Sequence, residues 1–275
     1  MKITFLGTAA AEGVPAVFCN CNYCKDARIK GGKNIRTRSQ SMINDDLLID
    51  YPSDSYMHAL TGRLRYDKVK TVIFTHSHPD HCYTKDFDLR RGDFAHGMEV
   101  EQLNLYGGEG VRNVFLREWG KADFDNVRFH LVRAFETFVA DKYKITPLPA
   151  RHLLSEDAFI YIIEENGKRL LYANDTGYFL EETFAYLERE KIQFDFVSYD
   201  CTIVDNPTPD EGGHMGFANI ERVRSRLRSF GAVNDKTIEY VTHFSHNGNP
   251  IQERLEEIAG PLGLGVAYDG CMVEF

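Results

Sequence analysis

Short runs of apolar, β-branched and aromatic residues recur along the chain, and most of them end at Gly, Asp or Pro. The predicted strands are Lys2–Leu6, Asp46–Ile49, Thr71–Thr75, Leu103–Tyr106, Val127–Val132, Ile145–Leu148, Phe159–Ile163, Leu170–Ala173, Phe194–Ser198, Ile238–Thr242 and Met272–Phe275. Helical spacing appears in three places. Leu180, Phe184 and Leu187 share a face in Phe179–Lys191, as do Ile220, Val223, Leu227 and Phe230 in Asn219–Phe230. Pro250–Ala259 is the third, with Asn249 as its expected N-cap, Pro250 at the first helical position and Gly260 past its end. No repeat, low-complexity tract or Gly/Ser linker interrupts the pattern. Strands with interspersed helices predict sheets packed together with helices outside, in one α/β domain over residues 1–275.

Composition narrows the partners. Of 275 residues, 43% are hydrophobic and 27% charged, enough for a sizeable core. No apolar run approaches the ~20 residues of a membrane span. The start, Met1 to Pro15, alternates like a first strand and lacks a signal peptide's apolar block, so the expected location is cytoplasmic. The net charge of −9 weighs against nucleic acid as the main partner, because phosphate backbones demand clustered Lys and Arg. Sequence gives no interface signal, and a homodimer stays open.

The strongest chemical signal is Thr-His-Ser-His-Pro-Asp-His, from Thr75 to His81, directly after an apolar strand. Alternation along an extended chain puts His76 and His78 on one side, and the turn at Pro79 can return Asp80 and His81 to the same space. Three imidazoles and a carboxylate at a strand end suit Zn²⁺, Mn²⁺ or Fe. His152, Asp175 and His243 each stand near the end of a predicted strand, as His76 does, and are candidate further donors. Asp50, ending its strand, could orient a donor histidine through the second ring nitrogen, or could simply close a turn. Arg90 and Arg91 could meet an anion, although a solvated face is the plainer reading. His58, His96 and His130 have no evident partners.

Cys19, Cys21 and Cys24 form a second cluster, a zinc-binding loop candidate at residues 19–24. Three thiolates from one short loop need a fourth donor for a closed structural zinc site; packing cysteines, a disulfide and a redox site are the alternatives. Cys82, Cys201 and Cys271 read as small buried apolar residues. His214, between Gly213 and Met215 in a glycine-bearing loop before a helix, could present an imidazole to a substrate.

Four stretches carry a resemblance to a known family: Gly7-Thr8 through Gly13-Val14-Pro15 to Cys19–Cys24, Leu48-Ile49-Asp50, Thr75–His81, and Thr242-His243-Phe244-Ser245-His246. Over its full length the chain resembles the metallo-β-lactamase superfamily, and within it the phosphodiesterases associated with the carbon–phosphorus lyase pathway (PhnP-like). The resemblance implies an αββα sandwich with a two-metal site at one edge. It implies His76, His78 and His152 on one metal, Asp80, His81 and His243 on the other, and Asp175 bridging. It further implies zinc or manganese in that site, His246 as the fourth donor of a structural zinc, and catalytic roles for Asp80 and His214.

Two metals about 3.5–4 Å apart can share a hydroxide and neutralise the oxygens of a group under attack, so no side-chain nucleophile is required. The expected activity is hydrolysis of a small, anionic phosphodiester, cyclic ones included. The segment Asp86–Glu101 matches no pattern in that branch and lies where it could reshape the pocket. Other metallo-β-lactamase-fold hydrolases (a lactonase, a thioesterase, an RNA-processing endonuclease) are alternatives. So is a protein of pyrroloquinoline quinone biosynthesis, resembled in Cys19–Cys24 and Arg38-Ser39-Gln40-Ser41.

Overall fold

The structure is a computed structural model that describes all residues except 63, 124–125 and 154–155. Two seven-stranded sheets face each other. The first runs β14-β1-β2-β3-β4-β5-β6: β1 Lys2–Gly7, β2 Gln40–Ile43, β3 Leu47–Ile49, β4 Thr71–Ile73, β5 Leu103–Gly107, β6 Val127–Leu131 and β14 Cys271–Glu274. The second runs β13-β12-β11-β10-β9-β8-β7: β7 Phe138–Ala140, β8 Tyr143–Pro149, β9 Phe159–Glu165, β10 Lys168–Ala173, β11 Phe196–Asp200, β12 Ile238–Thr242 and β13 Gly265–Val266.

Apolar runs, rather than strict alternation, follow from sheets covered on both faces. Ile3, Phe5, Leu47, Ile49 and Ile73 of the first sheet meet Ile145, Tyr161, Leu170, Tyr172 and Phe196 of the second. The intervening Leu6, Leu48 and Val72 point outward against α3, Glu109–Trp119, through Val111, Val114 and Phe115. On the other flank Leu171, Ala173 and Val197 pack under α4 (Glu181–Arg189), α5 (Phe217–Ser229) and α6 (Gln252–Ala259). The result is the expected αββα sandwich.

Several boundaries differ from the sequence reading. The strand at Phe194–Ser198 forms two residues later, at Phe196–Asp200, because Asp195 is occupied by Lys168 and the Arg169 amide. The strand at Thr71–Thr75 stops at Ile73: the Thr75 amide donates to Asp50, and its carbonyl accepts from the Phe159 amide of the other sheet. Asn249 does not cap α6. It adopts a left-handed φ of 55° to end a turn at His246–Gly248, and the N-cap is Ile251. Helices α1 (Asn22–Lys30), α2 (Ser55–Leu60) and α3 were not predicted; α1 is mostly polar and buries only Cys24 and Ala27.

In the first sheet β3 and β4 run parallel, as do β10, β11 and β12 in the second. Their C-terminal ends therefore point the same way within each sheet. Asp50 follows β3, Asp175 follows β10, Asp200 ends β11 and His243 follows β12. Asp50, Asp175 and His243 have φ of 65°, 50° and 63°, a left-handed turn that costs energy in non-glycine residues and is typical of chain bent to serve a site.

Candidate metal centre and active site

The His76 motif folds as a tight loop past β4. His76 Nε2 lies 2.8 Å from His78 Nδ1, and His152 Nε2 lies 3.2 Å from that same His78 atom. Beside this trio, His81 Nε2 lies 2.8 Å from Asp175 Oδ2 and 3.1 Å from Asp80 Oδ2, and His243 Nε2 lies 2.9 Å from Asp175 Oδ2. The other Asp175 oxygen faces His152 Nε2 at 3.6 Å. One carboxylate thus spans two three-residue groups: His76, His78 and His152 on one side, Asp80, His81 and His243 on the other. The structure brings all seven residues together in this way.

The atoms fit cations. His81 Nε2, Asp175 Oδ2 and His243 Nε2 are buried and converge without a hydrogen bond among them. His81 Nδ1 lies 2.7 Å from Asp50 Oδ2, and a ring nitrogen against a carboxylate keeps its proton. His81 Nε2 then faces the Asp175 carboxylate, a contact that is repulsive unless a proton or a metal cation stands between. Burial holds His76 well below its ordinary pKa, and burial lowers His152 too, so both keep a lone pair available.

His214 stands over this cluster. Its Nδ1 is 3.0 Å from Asp200 Oδ2 and 3.2 Å from Thr202 Oγ1. Asp200, fully buried, also accepts from the Thr202 and Met215 amides and faces His243 Nδ1 at 3.4 Å. Burial disfavours the His214 imidazolium, but the Asp200 carboxylate outweighs it and raises the pKa. Asp200 and Thr202 escaped the sequence reading; the available signal was an Asp at a strand end, as at Asp50 and Asp175.

Cys19, Cys21, Cys24 and His246 gather with their donor atoms within 4.8 Å of one another. None of the six cysteines forms a disulfide. Contact with His246 Nδ1, 3.6 Å away, lowers the Cys21 thiol to about 6, so this sulfur is thiolate near neutrality. Cys21 also caps α1 by accepting from the Cys24 amide. Four such donors match a closed tetrahedral zinc site. Cys82, Cys201 and Cys271 are buried, as expected.

The remaining candidates are engaged elsewhere. Arg90 donates to the carbonyls of Val100 and Glu101, and Arg91 pairs with Asp88 at 2.8 Å. His58 is buried between Gln40 and Thr37, and His130 bonds to Asn104.

Solved structures share this architecture. A diphosphatase of the PhnP family superposes with a TM-score of 0.76 at 23% identity, covering 100% of this chain and 98% of that one. Zinc-bound PqqB of Methylobacterium extorquens superposes with 0.77 at 20% identity, covering both chains fully. By sequence, coenzyme PQQ synthesis protein B of Acinetobacter baylyi is 22% identical over the whole of both chains. Ribonuclease Z of Picosynechococcus sp. is 28% identical over 174 residues, 61% of this chain, and the chain spans 48% of that relative's length. The pattern of the beta-lactamase superfamily domain matches residues 48–244, the stretch from β3 through the His76 motif to His243, and the chain therefore belongs to the metallo-β-lactamase superfamily.

Proposed function

We propose that the chain is a dinuclear metal-dependent phosphodiesterase acting on small anionic phosphodiesters, cyclic ones included. The observation that carries this reading is the Asp175 carboxylate reaching both groups of histidines. His76, His78 and His152 would hold one divalent cation, and Asp80, His81 and His243 the other, with Asp175 shared. Such a pair, zinc or manganese, supplies a nucleophilic oxygen at neutral pH and charge neutralisation for phosphoryl oxygens.

The chain's own residues do the rest. Asp50 holds the His81 ring in one tautomer. His214, with Nδ1 tied to Asp200, offers Nε2 to the departing alkoxide and can donate a proton there, a contribution of about 10²–10⁴-fold. Asp80, with 12% of its side chain exposed, would accept a hydrogen bond from the O–H of an attacking water and orient it toward phosphorus. Cys19, Cys21, Cys24 and His246 would hold a structural zinc that ties the N-terminal loop beside the His243 loop.

Full-length likeness to PQQ synthesis protein B supports a second reading, a role in cofactor biosynthesis. The experiment that separates them is metal analysis of the purified chain with a panel of phosphodiesters, phosphomonoesters, diphosphates, lactones and thioesters. Three metals per chain and phosphodiester turnover are expected. A preference for diphosphates would place it with the diphosphatase neighbour; a single metal and no hydrolysis would move it to the second reading.

A further inference from the structure

A cavity of about 380 Å³ opens on the helix-covered face of the first sheet, and no residue of the histidine–aspartate cluster lines it. It is bounded by α2, by the 3₁₀ turn Lys85–Arg90 and by the segment that follows it, through Phe94, His96 and Met98. Its volume is that of a small-molecule site, typically about 300–1,000 Å³.

Its walls are aromatic. Tyr51 packs on Phe87 and Tyr66, with ring centroids 4.5 and 5.4 Å apart. At the mouth Tyr56, Leu89 and Phe94 are 67%, 50% and 58% exposed, a concentration of apolar surface that a soluble protein rarely leaves around a concave opening without use. Arg90, Asp86, Asp67 and His96 bring polar groups to the walls, beside the hydroxyls of Tyr51, Tyr56 and Tyr66. Arg90 is anchored by its Nη2 on the carbonyls of Val100 and Glu101, yet its buried Nε–H has no acceptor among the described residues. Asp86 adds a partly buried carboxyl.

This combination selects an occupant. A simple arene would fill the aromatic slot but leave the Arg90 Nε–H unpaired, which a buried donor tolerates poorly. An aliphatic anion would satisfy Arg90 but waste the rings and face Asp86. A flat ring that accepts at one edge and donates at another satisfies all three. We propose that this cavity is a second binding site, separate from the histidine–aspartate cluster, for a planar nitrogen heterocycle of nucleobase size. The assignment does not rest on the phosphodiesterase reading.

Adenine, with indole and benzoate as comparators, titrated by calorimetry into the metal-loaded chain tests it. Indole lacks the acceptor and benzoate lacks the donor. Adenine is expected to bind saturably and at least ten-fold more tightly than either. Ala59→Trp, which fills the cavity from the half-buried side of α2, and Leu89→Trp, which crowds its exposed mouth, should each weaken adenine at least ten-fold with metal content unchanged. Adenine binding no tighter than the comparators, or full affinity in a folded variant, overturns the assignment.

Discussion

Asp50 Oδ2 lies 2.7 Å from His81 Nδ1, with both side chains fully buried, and Asp50 also accepts from the amide and hydroxyl of Thr75. One carboxylate at the end of β3 thus fixes both the loop that begins the His76 motif and the ring that closes it. Asp50→Asn keeps the size but loses the charge that holds the proton on Nδ1. Such partners are worth about 10–100-fold in metal affinity. A loss of that order, read by competition with a chelating dye while circular dichroism stays native, is expected. Wild-type affinity would show that Asp50 only closes a turn.

Protons and cations compete for the same atoms. In the metal-free chain, burial works against the His243 imidazolium, but Asp175 and then Asp200 outweigh it and push its pKa up to about 10. Burial is likewise outweighed at His81 by Asp175, Asp50 and Asp80, which raise it well above the ordinary value. Both rings are therefore protonated near neutrality, and a cation must displace those protons to reach Nε2. The sign is fixed: metal affinity rises with pH below these pKa values, and loading releases protons. Calorimetry of zinc or manganese binding near pH 7.5, in buffers of different ionisation enthalpy, should report release of one to about two protons. Zero release or uptake would contradict the arrangement.

Much of this site was legible in the sequence because its donors sit where strands hand over to loops. His76, His152, Asp175 and His243 could be picked out by that placement, and spacing within Thr75–His81 is local enough to read directly. Asp200 was not, because the strand predicted at Phe194–Ser198 ended two residues early and left Asp200 looking like loop. What displaced that boundary is tertiary: Asp195 is drawn to Lys168 and Arg169 across the sheet. Helix α1 was hidden for a related reason, since it is held through Cys21 and Cys24 and has only a weak apolar face. Asn249 had the composition of an N-cap, but the turn carrying His246 claimed it first.

Asp200 leads to a pH prediction. Its carboxylate raises the His214 pKa against the opposing effect of burial. A general acid must be protonated, so activity that depends on His214 is present at low pH and lost as pH rises through that pKa. Asp200→Asn removes the raising charge, so the alkaline limb of the kcat profile should move to lower pH. His214→Ala should lower kcat by about 10²–10⁴-fold with metal content retained. An alkaline limb unmoved in Asp200→Asn would separate the two residues.

The cysteine cluster should behave as a structural element. Cys21→Ser removes both a thiolate donor and the sulfur that caps α1. Because binding free energy at a closed zinc site is folding free energy, melting should drop by about 5 °C or more, with one zinc fewer per chain. His246→Ala should reproduce the loss of zinc. Equal melting temperatures with and without the fourth donor would return the cluster to simple packing.

A last prediction turns on backbone contact. Gly177 sits between the two loops that bring His152 and His214 to the site: its amide donates to the Arg151 carbonyl at 2.9 Å, and a Cβ placed on it would come within 1.8 Å of the Gly212 carbonyl oxygen. The obstacle is space, because no left-handed φ is involved. Gly177→Ala must therefore push Gly212 away. Gly213, whose carbonyl faces His152 Nδ1 at 3.2 Å, and His214 beyond it have to follow. Misplacing a catalytic group by about 1 Å costs on the order of 10²-fold. Activity should fall by that order in Gly177→Ala. Gly260→Ala, where an added Cβ meets nothing within 4 Å and φ is an ordinary −58°, should leave activity unchanged. Equal activity in the two variants would mean that the 212–214 loop yields freely and does not position His214.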